Sequence, residues 1–307
     1  MRVLAHIHTF NDADIIDRPI EAVLRQSRPV DGILVVDNGS IDGTLDRPSV
    51  KHATVLRHRE NLGTSGAVVS GLEFALDHDY DWLWIFDCDT TPDPDALERL
   101  LDLYAGWPRE LQDETGFVAS LPRNSLDGKP VHGQIFTRHG IDVVKPAPDQ
   151  LVYPCHVTIW SGSLYRLAAV RQIGLPDANY VLDAGDCEYG HQVMKAGYKG
   201  FIHQDSVCRH NIRGKESFRP VTLKLGPFTM RFFEVPAIRC YYGFRNTLYF
   251  ALYDVGQGRP WLVLRTVIGL TRLMVNFLLR PFTHRPQIAA CCRGIWHGVT
   301  GNIAARY

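Results

Sequence analysis

Two aspartates separated by a single residue, Asp87 and Asp89, follow directly on an apolar segment, residues 82–86, and precede a proline-rich loop. The apolar segment is typical of a buried strand, and open α/β sheets bind their ligands at the carboxyl ends of strands. Carboxylates this close repel one another unless a cation is present, and their oxygens suit Mg²⁺ or Mn²⁺. The pair is therefore a candidate metal site. The alternative is an acidic strand-to-helix loop in which Asp93 or Asp95 caps the next helix.

The elements that must position these acids are predicted from apolar periodicity. Predicted strands are residues 2–8, 31–37, 54–57, 82–86, 116–121, 157–163 and 199–207. Predicted helices are residues 15–26, 67–77, 94–104, 165–173 and 186–196. Residues 61–66 are predicted as a glycine-bearing loop that opens a helix, and residues 122–150 as a hairpin or a mobile loop. This alternation predicts an α/β fold with a mainly parallel central sheet flanked by helices.

The composition is sufficient for a hydrophobic core. The charge is unevenly distributed, with an acidic N-terminal part and a basic C-terminal part. Of 307 residues, 45% are hydrophobic and 21% are charged, as in ordinary globular proteins. Residues 1–204 hold 18 Lys and Arg against 29 Asp and Glu, whereas residues 205–307 hold 15 against 4. A basic C-terminal part indicates an anionic partner, such as lipid headgroups, nucleic acid or phosphorylated substrates.

The cysteines and the N-terminus predict a protein of the cytoplasm. The seven cysteines contain no C-x-x-C motif, which favours reduced, buried thiols. The N-terminus lacks the charged and then apolar pattern of a secretory signal, so we expect that the chain is not exported.

The C-terminal segment, residues 261–279, is apolar, but Arg265, Arg272 and Arg280 recur along it at helical intervals. Arginines at mid-span argue against a membrane-crossing helix and favour an amphipathic helix that lies in the bilayer interface. The alternative is a helix packed on the main domain or on a second copy of the chain. Because the arginines alternate with long apolar stretches, lipid is a better partner than nucleic acid. We therefore expect a peripheral protein on the inner face of the cell membrane.

Several motifs, taken together and in order, resemble those of the bacterial family 2 glycosyltransferases, which have the GT-A fold and invert the configuration of the transferred sugar. The resemblance covers roughly residues 3–250 and is nearest to rhamnosyltransferase- and galactofuranosyltransferase-like members. It implies a Rossmann-like, nucleotide-sugar-binding catalytic domain over residues 1–250. Residues 251–307 would then be a C-terminal helical segment that binds the membrane or forms an oligomer.

The first resemblance concerns the nucleotide. Thr9, Phe10 and Asn11 follow the first strand, and Asp37 ends the second. In the family these motifs embrace the nucleotide, and the carboxylate of the second accepts a hydrogen bond from the pyrimidine N3–H. Asp37 therefore implies a UDP- or dTDP-sugar, and a GDP-sugar is less favoured. The alternative for Asp37 is a residue that begins a turn.

A further motif resembles one that borders the nucleotide in the family. The segment around Asn61 and Gly63 resembles the N-x-G loop of the family, where glycine lets the backbone approach a ligand and the next helix N-terminus suits negative charge.

Asp87, Cys88 and Asp89 resemble the D-x-D motif, which in the family binds the divalent ion that bridges the diphosphate. The ion, Mg²⁺ or Mn²⁺, neutralises the leaving group. A histidine near the end of the catalytic domain supplies a further ligand. His210 resembles that position, and His203 is the competitor.

The predicted base and acceptor site come from two later motifs. Asp186 resembles the general base in the D-x-x-D-x-E-[WY] version of the family motif, because Gly185 stands where many members carry Glu. Asp183 and Glu188 are alternatives to it and are predicted to contact the acceptor. An acid that opens a helix can also be an N-cap.

Trp160, Ser161 and Gly162 resemble the turn beside the acceptor sugar, on which an aromatic ring could stack. Tyr241 to Asn246 resembles the YY-x-x-RN stretch; its Arg245 could pair with an acceptor phosphate or brace the tail, and bracing is favoured.

The resemblance implies transfer of a sugar from a nucleotide-diphosphate donor to a hydroxyl of a saccharide acceptor, which the membrane-seeking tail suggests is lipid-linked. Cell-envelope polysaccharide synthesis is the expected setting, and a homo-oligomer stays open. The alternatives are a sugar nucleotidyltransferase, which would need a glycine-rich basic loop after the first strand, and a non-catalytic sugar- or membrane-binding module.

Overall fold

The computed structural model describes residues 1–147, 149–210, 219–225, 228–255, 260–278 and 285–307. The chain divides by packing into two compact units. The first comprises Met1–Phe136, Asp142–Ala178 and Gly185–Gly214, and the second comprises Thr137–Ile141, Asn179–Ala184 and Lys215–Tyr307. These packing units do not test the predicted boundary near residue 250 between a catalytic domain and a C-terminal helical segment, which stays a prediction. Residue 279 and Arg280, the last of the three arginines of the predicted amphipathic helix, lie outside the described residues.

The strands up to residue 210 are β1 (Val3–Thr9), β2 (Gly32–Asp37), β3 (Thr54–Arg57), β4 (Trp82–Asp87), β5 (Thr91–Pro92), β6 (Thr115–Asn124), β7 (Gln134–Thr137), β8 (Gly140–Val143), β9 (Val152–Cys155), β10 (Ser163–Arg166) and β11 (Lys199–His210). The helices are α1 (Asp17–Leu24), α2 (Gly63–Asp77), α3 (Ala96–Ala105), α4 (Arg109–Glu114), α5 (Leu167–Ile173) and α6 (Gly185–Lys195). Strands β7 and β8 form a separate two-stranded sheet.

The main sheet has the order β3-β2-β1-β4-β10-β6-β11-β5, and β9 pairs with β11. Neighbours from β3 to β4 are parallel, as are β6 and β11, whereas β10 runs antiparallel to both β4 and β6. The predicted α/β class, with a central sheet flanked by helices, is confirmed. The parallel half brings the ends of β1, β2 and β4 to one edge of the sheet.

Each face of this sheet has its own hydrophobic core, because successive side chains of a strand point to opposite faces. In β1, Leu4 packs with α2 residues such as Val68 and Leu72. Its neighbours Val3 and Ala5 pack on the other face, in the core that α1 and α3 also join. The D-x-D strand β4 is buried on both faces, which explains why its sequence is a continuous apolar run.

Two predicted elements are wrong in detail. Residues 157–163 were predicted as a strand, but β10 begins only at Ser163, and a turn precedes it in which Gly162 has a φ of +87°. The turn lies where the motif of Trp160, Ser161 and Gly162 predicts one, so only the extent of the strand is wrong. The predicted loop over residues 61–66 is mostly helix, since α2 begins at Gly63, whose N–H donates to Asn61 Oδ1 at 2.8 Å.

The second unit contains β12 (Arg219–Leu225), β13 (Phe228–Glu234), α7 (Ala237–Tyr249), α8 (Pro260–Leu278) and α9 (Arg285–Val299). Helices α7 and α9 approach closely at Gly294 and Gly298, where an added Cβ would lie 2.5 Å from Tyr241 O and 2.8 Å from Arg245 O. In the described part of the chain, no helix has both the length and the apolar character that a membrane span requires.

Arg245 braces the tail, as the sequence favours. Its side chain is fully buried and donates to the backbone oxygens of Asn179, at 2.6 Å, and Ala305. The guanidinium also lies over the rings of Tyr241 and Tyr242. These contacts tie Asn179 and, near the C-terminal end, Ala305 to α7, which favours bracing over contact with an acceptor phosphate.

Candidate active site

Asp87, at the end of β4, is held from two sides. His8 is its partner in the parallel register of β1 and β4, and His8 Nε2 lies 2.7 Å from Asp87 Oδ1. Ser161, in the turn before β10, donates from Oγ to Asp87 Oδ2 at 2.7 Å and accepts the Asp87 N–H at 2.8 Å. The carboxylate is therefore fixed by two elements that are distant in sequence.

The pairing of β5 with β11 brings His210 to the D-x-D motif. Thr91 of β5 lies opposite Arg209, the penultimate residue of β11. His210 Nδ1 is consequently 3.5 Å from Asp89 Oδ1, 4.0 Å from Asp87 Oδ2 and 2.7 Å from the Thr90 hydroxyl. One ligand atom from each of Asp87, Asp89 and His210 lies within 4.8 Å of the others, and no other His, Cys, Asp or Glu side chains among the described residues form such a group of three.

His203, the competing histidine, has a structural role. It is 6% exposed and lies where the register of β11 shifts against β6. Its Nδ1 accepts the N–H groups of Asp205 and Ser206 at 3.1 and 3.2 Å. The ring thus caps an irregularity within its own strand, and His210 is the histidine that faces the two aspartates.

The surroundings of Asp87 and Asp89 shift the pKa values of their two carboxyls in opposite directions. Burial opposes ionisation of Asp87, but hydrogen bonds from His8 and Ser161 and the charges of His8 and His210 hold the pKa of its carboxyl below the usual range. Burial and the negative charge of Asp87 raise the pKa of Asp89. A divalent cation would stabilise both carboxylates as anions, so the donor set fits such a metal.

The loops after β1 and β2 are tied to each other. Thr9 lies opposite Asp37 in the β1–β2 register. Asn11 adopts a left-handed backbone (φ +55°), and its N–H donates to Ser40 Oγ at 2.8 Å, while its Oδ1 accepts the Ile41 N–H at 2.9 Å. Strain in a polar residue at such a position is typical of binding loops.

Other predicted nucleotide contacts lie beside these loops. The Phe10 side chain is 44% exposed and therefore accessible to a ligand. Cys88 is buried next to the Thr9 hydroxyl, at 3.7 Å, so its thiol belongs to the core under the loop. Asn38 links the same region to the helix start, because its amide donates to Gly63 O at 3.2 Å.

Asp37 is fully buried, and its carboxylate already has two partners. It accepts the Ser40 N–H at 3.0 Å, so Asp37 does begin a turn, which is the alternative role given to it by the sequence. In addition, Arg57 Nε lies 3.2 Å from Asp37 Oδ2. Arg57 is its cross-strand neighbour in β3. A nucleobase at Asp37 would therefore also meet the half-exposed guanidinium of Arg57, which sequence reasoning missed.

Asp186 lies in the first turn of α6, where its Oδ1 accepts the Cys187 N–H at 2.8 Å. One turn later the ring of Tyr189 stacks on Trp160, with centroids 5.8 Å apart. Trp160 directly precedes Ser161, which holds Asp87. Aromatic contacts among Trp160, Tyr165 and Tyr189 thus connect the first half of α6 to the turn that holds Asp87.

Three residues predicted around the acceptor have structural roles that argue against contact with a sugar. Trp160 is 5% exposed and packs on Tyr165 and Tyr189, so stacking on a sugar would require it to leave the core. Glu188 is 6% exposed and accepts from the Asp177 N–H at 3.2 Å and from the Gln192 amide. Gly162 provides the left-handed backbone of the turn, where a Cβ would lie 2.6 Å from Cys208 Sγ.

Asp183 belongs to the second unit, where its carboxylate pairs with Arg239 at 2.7 Å. Burial raises the pKa of its carboxyl, and the Arg239 charge opposes that shift. Asp183 and Ala184 both have φ near +60°, and the Asn246 amide donates to the backbone oxygens of Leu182 and Asp183. The ion pair therefore belongs to a strained, braced loop.

His8 and Thr90 are two further site residues that sequence reasoning missed. A signal for His8 is present, because His6 and His8 occupy alternate positions of an otherwise apolar strand. Thr90 gives no signal, since its contact with His210 arises only when β5 pairs with β11.

Comparison with known proteins identifies the family. Residues 5–173 match the model of glycosyl transferase family 2. Galactofuranosyltransferase GlfT1 of Mycobacterium tuberculosis is 24% identical over 227 residues, which are 71% of this chain and 73% of that protein. Undecaprenyl-phosphate mannosyltransferase of Micrococcus luteus is 35% identical over 107 residues, which are 33% of this chain and 44% of that protein.

A solved structure shares the fold. The crystal structure of GalNAc-T7 with UDP, GalNAc and Mn²⁺ superposes with a TM-score of 0.57 at 13% identity, over 68% of this chain and 44% of that chain. This likeness confirms the GT-A-like sheet, and the family match covers the strands that carry Thr9, Asp37 and the D-x-D motif. The chain belongs to the family 2 glycosyltransferases.

Proposed function

We propose that this glycosyltransferase moves a sugar, with inversion, from a nucleotide-diphosphate donor to a hydroxyl of a saccharide acceptor. The observation that carries the proposal is the cluster of Asp87, Asp89 and His210 at the end of β4, with the pKa values of the two acids driven apart. Such a cluster is suited to a cation and a diphosphate, and it lies in the unit that holds the loops after β1 and β2.

Asp87, Asp89 and His210 would hold the metal. When bound, a divalent ion stabilises the charge of the departing diphosphate. Two carboxylates and an imidazole favour Mn²⁺ over Mg²⁺, which prefers oxygen ligands alone. The Mn²⁺ named with the GalNAc-T7 structure supports the same choice.

Asp186 is the residue we assign as general base. Its carboxylate takes the proton of the acceptor hydroxyl while that oxygen bonds to the anomeric carbon from the face opposite the diphosphate. The bond from the anomeric carbon to the phosphate oxygen breaks, and the nucleoside diphosphate leaves with its electron pair. The burial of Glu188, which is 6% exposed, and the ion pair of Asp183 with Arg239 leave them less suited to this role.

The donor class follows from Asp37 and its surroundings. A buried carboxylate that accepts from an N–H suits the N3–H of uracil or thymine, so UDP- and dTDP-sugars are favoured over GDP-sugars. Phe10, in the loop after β1, is exposed and offers an apolar face to a base. The names of the relatives, a galactofuranosyltransferase and an undecaprenyl-phosphate mannosyltransferase, support an envelope saccharide and a lipid-linked substrate.

A screen of nucleotide sugars tests the proposal. The protein is mixed with UDP-, dTDP- and GDP-sugars in Mn²⁺, Mg²⁺ or EDTA, and its melting midpoint is recorded. A true donor at about 100 times its Kd adds about 2.7 kcal/mol and raises the midpoint by a few degrees. We expect the shift with a UDP- or dTDP-sugar and its loss in EDTA. No shift with any of the three classes would contradict the proposal.

Helix α8 supports the proposed membrane contact. Five of its exposed apolar residues are 42–58% exposed and lie three, four or seven positions apart, on one face of the helix: Trp261, Leu264, Ile268, Val275 and Leu278. We refer to these five residues as the α8 stripe. Arg265, on the same helix, donates to His139 O at 3.2 Å. Because residues 205–307 hold 15 basic against 4 acidic residues, an anionic lipid surface suits the stripe better than a second copy of the chain.

Vesicle sedimentation tests this contact. We expect the wild type to bind vesicles that contain phosphatidylglycerol and to bind pure phosphatidylcholine weakly. The double substitution L264E/I268E should lower binding at least about tenfold, because it places charge on the apolar face. L126E, at a residue 49% exposed in the first unit, is the matched control and should bind normally. Unchanged binding by the double variant, or a wild-type dimer that this variant dissociates, would contradict lipid as the partner.

A further inference from the structure

We infer that His8 is a positioning residue for the metal site, and that it holds the Asp87 carboxylate so that one oxygen remains directed at Asp89 and His210. The inference rests on the proposed function, because it assigns a supporting residue to the proposed metal ligands. It concerns how the ligand is oriented and does not add a ligand to the cluster.

The two oxygens of Asp87 have separate partners. Oδ1 is bound by His8 Nε2 at 2.7 Å, whereas Oδ2 is the oxygen nearest His210, at 4.0 Å, and accepts the Ser161 hydroxyl at 2.7 Å. A hydrogen bond to an ionised carboxylate is short and strong. Because His8 occupies Oδ1, rotation of the carboxylate is blocked and Oδ2 stays on the side of the cluster.

The sheet itself aligns this pair. His8 and Asp87 are opposite one another in the parallel register of β1 and β4. β1 is buried along its length, and β4 is buried up to Asp87, which is partly exposed. His8 is 8% exposed, so its ring has little freedom to leave. A side chain on a rigid central strand fixes a ligand more closely than one on a loop.

The second nitrogen of His8 makes no competing hydrogen bond. Its Nδ1 is buried and, within the described residues, has no hydrogen-bond partner. The adjacent ring is His6, 5.5 Å away between centroids and fully buried, with burial holding its pKa well below the usual range. His6 is therefore neutral and offers Asp87 no second charge. Within the described residues, the imidazole of His8 therefore makes its hydrogen bond to the Asp87 carboxylate, through Nε2.

Measurement of Mn²⁺ affinity by electron paramagnetic resonance, without any nucleotide sugar, tests the inference. His8→Phe keeps the size of the ring but removes the donor, and we expect Mn²⁺ affinity to fall about 10–100-fold, as for other residues that orient metal ligands. His8→Gln restores an N–H donor and should bind within about threefold of the wild type. His78→Phe removes an exposed histidine at the end of α2 and controls for non-specific binding.

The outcomes separate the two proposals. If the wild type binds Mn²⁺ and the His8→Phe variant, folded by circular dichroism, binds it equally well, the role of His8 is wrong and the metal site stands. Equal losses in His8→Phe and His8→Gln would also contradict positioning by a hydrogen bond. If the wild type itself binds no Mn²⁺, the proposed metal site fails and the inference fails with it.

Discussion

Replacement of Asp186 by asparagine is expected to lower the rate of sugar transfer by about 10³-fold, the usual contribution of a general base. The amide keeps the size of the side chain and can still accept the Cys187 N–H bond that the carboxylate makes in α6, but it cannot take a proton at neutral pH. Single-turnover transfer, followed by chromatography of the sugar product, measures the effect. The midpoint shift caused by donor and Mn²⁺ should stay within about a degree of the wild-type shift.

The neighbouring acids serve as matched controls for that variant. Asp183→Asn removes a carboxylate that pairs with Arg239, and Glu188→Gln alters one that binds the Asp177 N–H. Both should change stability more than they change the chemical step, because both carboxylates have structural partners. A 10³-fold loss in either of them, together with near-normal turnover of the Asp186→Asn variant, would move the base to that residue.

Replacement of Asp89 by asparagine should abolish tight Mn²⁺ binding and lower transfer at least about 100-fold, because it removes one of three ligands and its negative charge. The metal-free variant should melt at or above the wild-type temperature near pH 7. The reason is that burial and Asp87 raise the pKa of Asp89 in the folded protein. At a pH above that raised pKa, the ionised side chain costs stability, and asparagine removes the cost.

Asp95→Asn is the control, since it makes the same chemical change at a surface carboxylate paired with Arg99 at 2.7 Å. Such a pair contributes little, so both Mn²⁺ affinity and transfer should equal those of the wild type. Titration of Mn²⁺ into each variant, followed by calorimetry, gives the affinities. Wild-type affinity in the Asp89→Asn variant would remove Asp89 from the ligand set and return the D-x-D motif to the role of an acidic loop.

The sequence predicts the site where a motif lies in one segment of chain. Asp87 and Asp89 follow an apolar strand, and that local pattern predicts both a strand end and a metal ligand. Asp186 opens the predicted helix almost where α6 begins. In each case the residue and the element that positions it are neighbours in sequence, so periodicity predicts the element, while the roles of Asp87 and Asp89 as metal ligands and of Asp186 as base stay predictions.

Long-range pairing supplies what the sequence does not reveal. His8 reaches Asp87 because β1 lies beside β4, and Arg57 reaches Asp37 because β3 lies beside β2. Trp160 was predicted to face a sugar, but the antiparallel insertion of β10 and the packing of α6 bury it under Tyr189. Strand order is decided by packing of the whole chain, which explains why these partners are absent from a reading of local patterns.

Analysis of the phosphorus-containing product formed by the wild type, with an effective donor, an acceptor and Mn²⁺, tests the central claim most directly. The account predicts that phosphorus NMR detects one nucleoside diphosphate for each sugar transferred, that EDTA stops its release, and that Asp186→Asn slows it. Release of pyrophosphate would instead indicate a sugar nucleotidyltransferase, and release that continues unchanged in EDTA would contradict a cation held by Asp87, Asp89 and His210.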